Sequence, residues 1–145
     1  MNKGVSTSYL VIAIIGIITA IPVLGSVVDI FRILTFVLLG FSIYILVKQP
    51  KGPIKKTGAI LMVIACALSL IGGLIVMGSL GSLAAIDTTS NLSSYEAGEA
   101  LGGAIGGSLL GMIFTFPAWI IKIIAIVFSF ITYGKLKTPV SQQNL

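Results

Sequence analysis

The few charged residues of this chain leave long uncharged stretches between them, at residues 4–28, 33–47, 57–86 and 100–121. A helix needs about 20 apolar residues to cross a bilayer, so these stretches predict four transmembrane helices. Hydrophobic residues make up 57% of the chain and charged residues only 9%, whereas a soluble domain carries roughly 25% charged residues. The sequence therefore predicts an all-α integral membrane protein and excludes a soluble enzyme or a nucleic-acid-binding protein.

We expect a single transmembrane domain over residues 1–145, with an outer loop at 87–99 and helices at about 8–24, 27–47, 57–86 and 100–134. Gly25 makes the bend between the first two helices, and Ser26 with Asp29 forms a capping box at the start of the second. The first helix followed by Val23-Leu24-Gly25 also resembles a secretory signal peptide. We expect it to be retained, because the tight hairpin needs the first helix as its partner.

Lysine placement predicts the orientation in the membrane. Basic residues concentrate on the cytoplasmic side of membrane proteins. Seven of the eight lysines lie at the two termini and in the loop between helices 2 and 3: Lys3, Lys48, Lys51, Lys55, Lys56, Lys135 and Lys137. The loop between helices 3 and 4 has no Lys or Arg. We therefore expect both termini in the cytoplasm. The chain is rich in Lys and Ile, a composition typical of bacterial proteins. Tyr9, Tyr44 and Tyr133 would form an aromatic belt at that face.

Contact with lipid at the cytoplasmic face would explain the lysines in the loop between helices 2 and 3. Lys48, Lys51, Lys55 and Lys56 are expected to meet anionic lipid headgroups, at about 1 kcal/mol per lysine.

Helices 3 and 4 are predicted to be longer than the bilayer requires. Residues 57–86 would form a helix of about 45 Å, against a hydrocarbon core of about 30 Å. Both helices must then either project beyond the outer headgroups or break. The sequence offers a break at Gly72-Gly73 in helix 3 and another at Pro117 in helix 4.

Glycines crowd the first part of helix 4 and predict a helix-packing face. Gly103, Gly107 and Gly111 are spaced by four, and Gly102 and Gly106 widen the same face. Glycine lets helix backbones approach closely in lipid, where no hydrophobic force drives association. The partner could be helix 3, with Gly73 and Gly81 among its contacts, or a helix of another subunit. A flexible or re-entrant segment is a third possibility.

Lys122 is the least expected residue, since it interrupts the apolar stretch of helix 4. A lysine within the membrane marks an ion path or a substrate counter-charge. Alternatively, if the span begins near Ala118, its amine reaches the outer boundary; we favour this interpretation. Asp29 and Arg32 are spaced to pair along helix 2, although Asp29 could instead pair with Lys122.

The sequence lacks the residues that most enzymes need. It has no His, a single Cys, no pair of catalytic carboxylates and no nucleotide-binding loop, so we expect no enzyme activity, cofactor or metal. The layout is similar to small multidrug exporters, tetraspanins and claudins. The first, however, need a glutamate inside helix 1, and the others need cysteine pairs in the outer loop, and this chain has neither.

These observations favour a non-catalytic accessory or assembly subunit of the plasma membrane, which binds other membrane helices, or a second copy of itself, through its glycine-rich face. The main alternative is a homo-oligomeric channel or transporter subunit in which Lys122 and Arg32 line an anion path. A third interpretation is a membrane-permeabilising protein similar to a phage holin.

Overall fold

The computed structural model describes residues 3–21, 32–50, 52, 54–87 and 94–137. The described residues form four helices, which we number in chain order: α1 Lys3–Ala20, α2 Ile33–Lys48, α3 Thr57–Asp87 and α4 Ser94–Lys137. The prediction of an all-helical chain is confirmed.

The helices differ in whether they are long enough to cross a membrane. Within the described residues, α1, α3 over Thr57–Gly81, and α4 are long and apolar enough to do so. Helix α2 is equally apolar but has only 16 residues. The described residues therefore form four helices, three of which are long and apolar enough to cross a membrane.

Helix α2 starts later than predicted. Arg32, the residue that precedes it, has φ 57°, in the left-handed region, where a non-glycine residue cannot continue a right-handed α-helix. The expected single helix over 27–47 is therefore wrong at its start. The proposed capping box at Ser26 and the predicted pair formed by Asp29 lie outside the described residues.

Helix α4 starts earlier than predicted, at Ser94 instead of Ala100. Glu96 and Glu99 consequently belong to its first turns and not to a loop, and Glu96 there complements the positive end of the helix dipole. The outer loop expected at 87–99 is shorter for the same reason. Pro117 lies inside α4, and α3 runs through Gly72-Gly73, so neither predicted break ends its helix.

The chain divides into two compact units. Unit 1 comprises residues 1–66 and 119–145, and unit 2 comprises residues 67–118. Unit 1 combines α1, α2, the start of α3 and the end of α4 around one hydrophobic core, to which each helix contributes fully buried side chains: Tyr9, Ile12, Leu38, Ile45, Ala59, Met62 and Ala125. Unit 2 consists of the remainder of α3 and the first part of α4.

Candidate helix-packing faces and membrane charges

The two helices of unit 2 touch each other at glycines. A Cβ atom added to Gly111 would lie 3.0 Å from the carbonyl oxygen of Gly72 and would overlap the Val76 side chain. A Cβ added to Gly72 would lie 2.9 Å from the carbonyl oxygen of Gly111. Backbone atoms cannot move aside as the end of a side chain can, so only glycine permits this approach.

The contacts continue along both helices in a regular register. Gly107, one turn from Gly111, is so close to Ser79 that a Cβ there would overlap the serine Cβ. Gly72 of α3 meets Gly111 of α4, and the later residue Ser79 meets the earlier residue Gly107. The two helices of unit 2 are therefore antiparallel. The contact positions on α4 are spaced by four, which places them on one helix face.

Most of the other glycines predicted for this interface have open space around them. Gly102, Gly103 and Gly106 have no atom within 4 Å of an added Cβ, and the same is true of Gly81 on α3. Gly73 is buried. The α3 contacts are instead Gly72, Val76 and Ser79, which the sequence analysis did not select, although small residues spaced by seven at 72 and 79 were a usable signal.

Helix α4 thus carries two classes of glycine. Gly107 and Gly111 pack against α3, and we call Gly102, Gly103 and Gly106 the open glycine face, because no atom of the described residues fills it. An apolar groove lies along the same part of unit 2, lined by Leu80, Leu101, Ala104, Ile105, Ser108, Leu109 and Met112.

Lys122 lies on the buried side of α4 in unit 1. Only 6% of its surface is exposed, and the residues that share its helix face, Ala118, Ala125 and Ser129, are also buried. Positions 118, 122, 125 and 129 repeat at helical spacing and form the stripe that α4 turns inward. Arg32 is half-buried at the start of α2.

A chain of hydrogen bonds organises the turn between α2 and α3. The Tyr9 hydroxyl donates to Oε1 of Gln49 at 2.7 Å, and the side-chain Nε2 of Gln49 donates to the Ile54 carbonyl at 3.0 Å. Tyr9 is fully buried, so its interpretation as an aromatic-belt residue is wrong. A buried tyrosine needs a partner for its hydroxyl, and Gln49, which the sequence analysis did not single out, supplies it.

The four loop lysines do not share one environment. The Lys56 ammonium donates to the Leu46 carbonyl at 2.8 Å, where it satisfies the last turn of α2 and complements the negative end of its dipole. Lys48 and Lys55 are exposed, and Lys51 lies outside the described residues. Exposure leaves Lys48 and Lys55 able to meet headgroups, as predicted for all four.

A further hydrogen bond joins α1 to α4. The Trp119 indole N–H donates to the Ala20 carbonyl at 2.7 Å. That carbonyl belongs to the last residue of α1, whose final carbonyls have no partner within the helix. Gly16, one turn earlier in α1, contacts Ile126, which lies further along α4. The two contacts show that α1 and the end of α4 are antiparallel in unit 1.

The described residues contain no group of three His, Cys, Asp or Glu side chains able to hold a metal ion, and Cys66 is buried. The chain matches no protein-family model, and no curated protein or solved structure shows significant similarity to it.

Proposed function

We propose that the protein is a non-catalytic, multi-pass subunit of a bacterial plasma membrane, which assembles with other membrane helices through its open glycine face. The apolar character of α1, α3 and α4 supports the membrane placement. So does the number of large apolar side chains exposed on them, which lipid would cover: Ile14, Leu74, Met77, Leu109, Ile113 and Phe116 are examples.

The arrangement of the helix ends supports the proposed orientation. Lys3 at the start of α1 and Lys137 at the end of α4 line the same cleft, so these two ends lie together. Basic residues favour the cytoplasmic side. Both termini would then face the cytoplasm, with the connection between α3 and α4 on the outside.

The observation that carries the proposed function is the division of the α4 glycines. Each glycine in a helix costs about 1 kcal/mol relative to alanine, and Gly107 and Gly111 offset that cost through contact with α3. Gly102, Gly103 and Gly106 have no such contact in the described residues. A second backbone pressed against the open glycine face would give them the same role.

Co-purification tests the proposal directly. The full chain, affinity-tagged and extracted in mild detergent, is expected to carry either a stoichiometric membrane protein or a second copy of itself. Gly103→Leu and Gly106→Leu should remove that partner, because a bulky side chain keeps a second helix at a distance. Gly134→Leu is the matched control, since it lies on the same helix and also has open space around an added Cβ.

Two results would contradict the assembly proposal. One is a wild-type chain that purifies as a monomer without any partner. The other is a complex that forms equally well with leucine at positions 103 and 106.

The burial of Lys122 favours a second candidate, a channel or transporter subunit, because lysines inside membrane segments mark ion paths. In a homo-oligomeric pore, however, the path runs along an axis shared by several subunits, whereas only 6% of the Lys122 surface is exposed in the single chain. The assembly role is therefore the better-supported of the two.

A further inference from the structure

A cleft of about 490 Å³ opens in unit 1 between the start of α1 and the end of α4. It combines charged, hydroxyl-bearing and apolar walls: Lys3, Ser6, Thr7, Leu10, Tyr133, Leu136 and Lys137 line it. The cleft is separate from the open glycine face, which belongs to unit 2.

The two lysines give the cleft a positive charge. Lys3 and Lys137 come from different helices and are both exposed. The Lys137 ammonium lies 5.8 Å from the centre of the Tyr133 ring, a cation–π distance that holds it at the cleft wall. The hydroxyls of Ser6 and Tyr133 are available beside these charges, whereas the Thr7 hydroxyl donates to the Lys3 carbonyl.

No acidic side chain of the described residues in unit 1 balances these charges. Their sequence contains no Asp or Glu, and the described carboxylates, Asp87, Glu96 and Glu99, all belong to unit 2. Two ammonium groups in one cleft repel each other unless an anion lies between them. A bound anion would supply the counter-charge that the described residues of unit 1 lack.

We propose that this cleft binds one anionic phospholipid, with the phosphate between Lys3 and Lys137 and an acyl chain along Leu10 and Leu136. Leu136 is buried and Leu10 half-buried, so the cleft offers hydrocarbon contact that a free phosphate ion would not use. Basic clefts between helices at the cytoplasmic face are suited to anionic headgroups. The assignment depends on the membrane placement proposed above but not on any protein partner.

Native mass spectrometry of the full chain in detergent, titrated with phosphatidylglycerol or phosphatidylcholine, tests this site. The wild type should retain one phosphatidylglycerol in preference to phosphatidylcholine. The double variant Lys3→Gln/Lys137→Gln should bind it about thirtyfold more weakly, because each lysine contributes roughly fivefold. A matched pair of single variants is the control: Lys137→Gln should weaken binding, whereas Lys135→Gln, which removes the same charge from an exposed lysine of α4 that does not line the cleft, should leave it unchanged.

A further variant, Ser6→Leu, fills the cleft while it keeps both lysines, and it should also weaken binding. Circular dichroism and size exclusion establish that each variant is folded. Equal loss in Lys137→Gln and Lys135→Gln would overturn the site, because binding would then follow net charge alone. Equal binding of the two lipids, or displacement of phosphatidylglycerol by millimolar inorganic phosphate, would overturn it as well. Loss of lipid binding with the protein complex intact would leave the assembly proposal standing.

Discussion

The hydroxyl of Tyr9 donates a 2.7 Å hydrogen bond to Oε1 of Gln49, within a fully buried part of unit 1. This bond connects the second turn of α1 to the residue that directly follows α2. Because the same glutamine also donates to the Ile54 carbonyl, one side chain sets the position of α1 relative to the chain that leads into α3. Loss of the Tyr9–Gln49 bond should therefore lower the free energy of unfolding.

Tyr9→Phe should lower the free energy of unfolding by about 1–3 kcal/mol, because it leaves a buried amide oxygen of Gln49 without a donor. Tyr44→Phe is the control, since Tyr44 is 40% exposed. Unfolding in detergent by added denaturant, followed by circular dichroism, measures both. If the two variants are equally stable, the bond does not support the fold.

Gly111→Leu should destabilise unit 2, by about 1–3 kcal/mol or more, because the added side chain meets the Gly72 carbonyl and Val76. Gly103→Leu should keep or slightly raise stability, since open space surrounds position 103 and leucine has the better helix propensity. Thermal unfolding in detergent separates the two. A similar loss at both positions would mean that the open glycine face is already occupied by the chain itself.

Lys122 provides a test of the transport alternative. Reconstituted vesicles that contain the wild type should show no anion flux, and Lys122→Gln should behave in the same way, because only 6% of the lysine surface is exposed in the single chain. Lys122→Glu serves as the charge-reversal comparison. Wild-type anion flux whose ion preference reverses with Lys122→Glu would replace the assembly role with a pore, since a single charge dominates the field in a narrow path.

Labelling with an impermeant maleimide tests the orientation in intact cells. Cys66 is buried, and Cys66→Ala provides a background without native thiols. On that background Tyr95→Cys should be labelled, because position 95 is 80% exposed and lies within the 87–99 segment that is expected outside. Lys55→Cys, by contrast, should be labelled only after lysis. The reverse pattern would invert the proposed topology.

The sequence predicted the helices best where charges or polar turns bound an apolar stretch. Helix α3 was expected at 57–86 and is found at Thr57–Asp87, because Lys56 and Asp87 delimit it. The start of α4 was less predictable. Residues 94–99 are polar and looked like loop, yet they form the first turns of a helix whose dipole favours Glu96.

The candidate site was predicted only in part. The glycines of α4 were identified as packing residues from their spacing, but the sequence could not divide them into those that contact α3 and those that remain open. Gly103, Gly107 and Gly111 lie on the same helix face by spacing alone. Gly107 and Gly111 contact α3, while Gly103 does not, since the extent of contact depends on where the two helices cross.

The sequence by itself determined that the chain is helical and rich in long apolar segments, because helix length and hydropathy are properties of one segment at a time. Only the tertiary structure decided that Tyr9 is a core residue bonded to Gln49, that Lys122 faces inward, and that Gly72 meets Gly111. Each of these depends on how a helix is rotated about its axis and which helix it meets. That rotation follows from the packing of all the helices together and cannot be derived from the pattern of one.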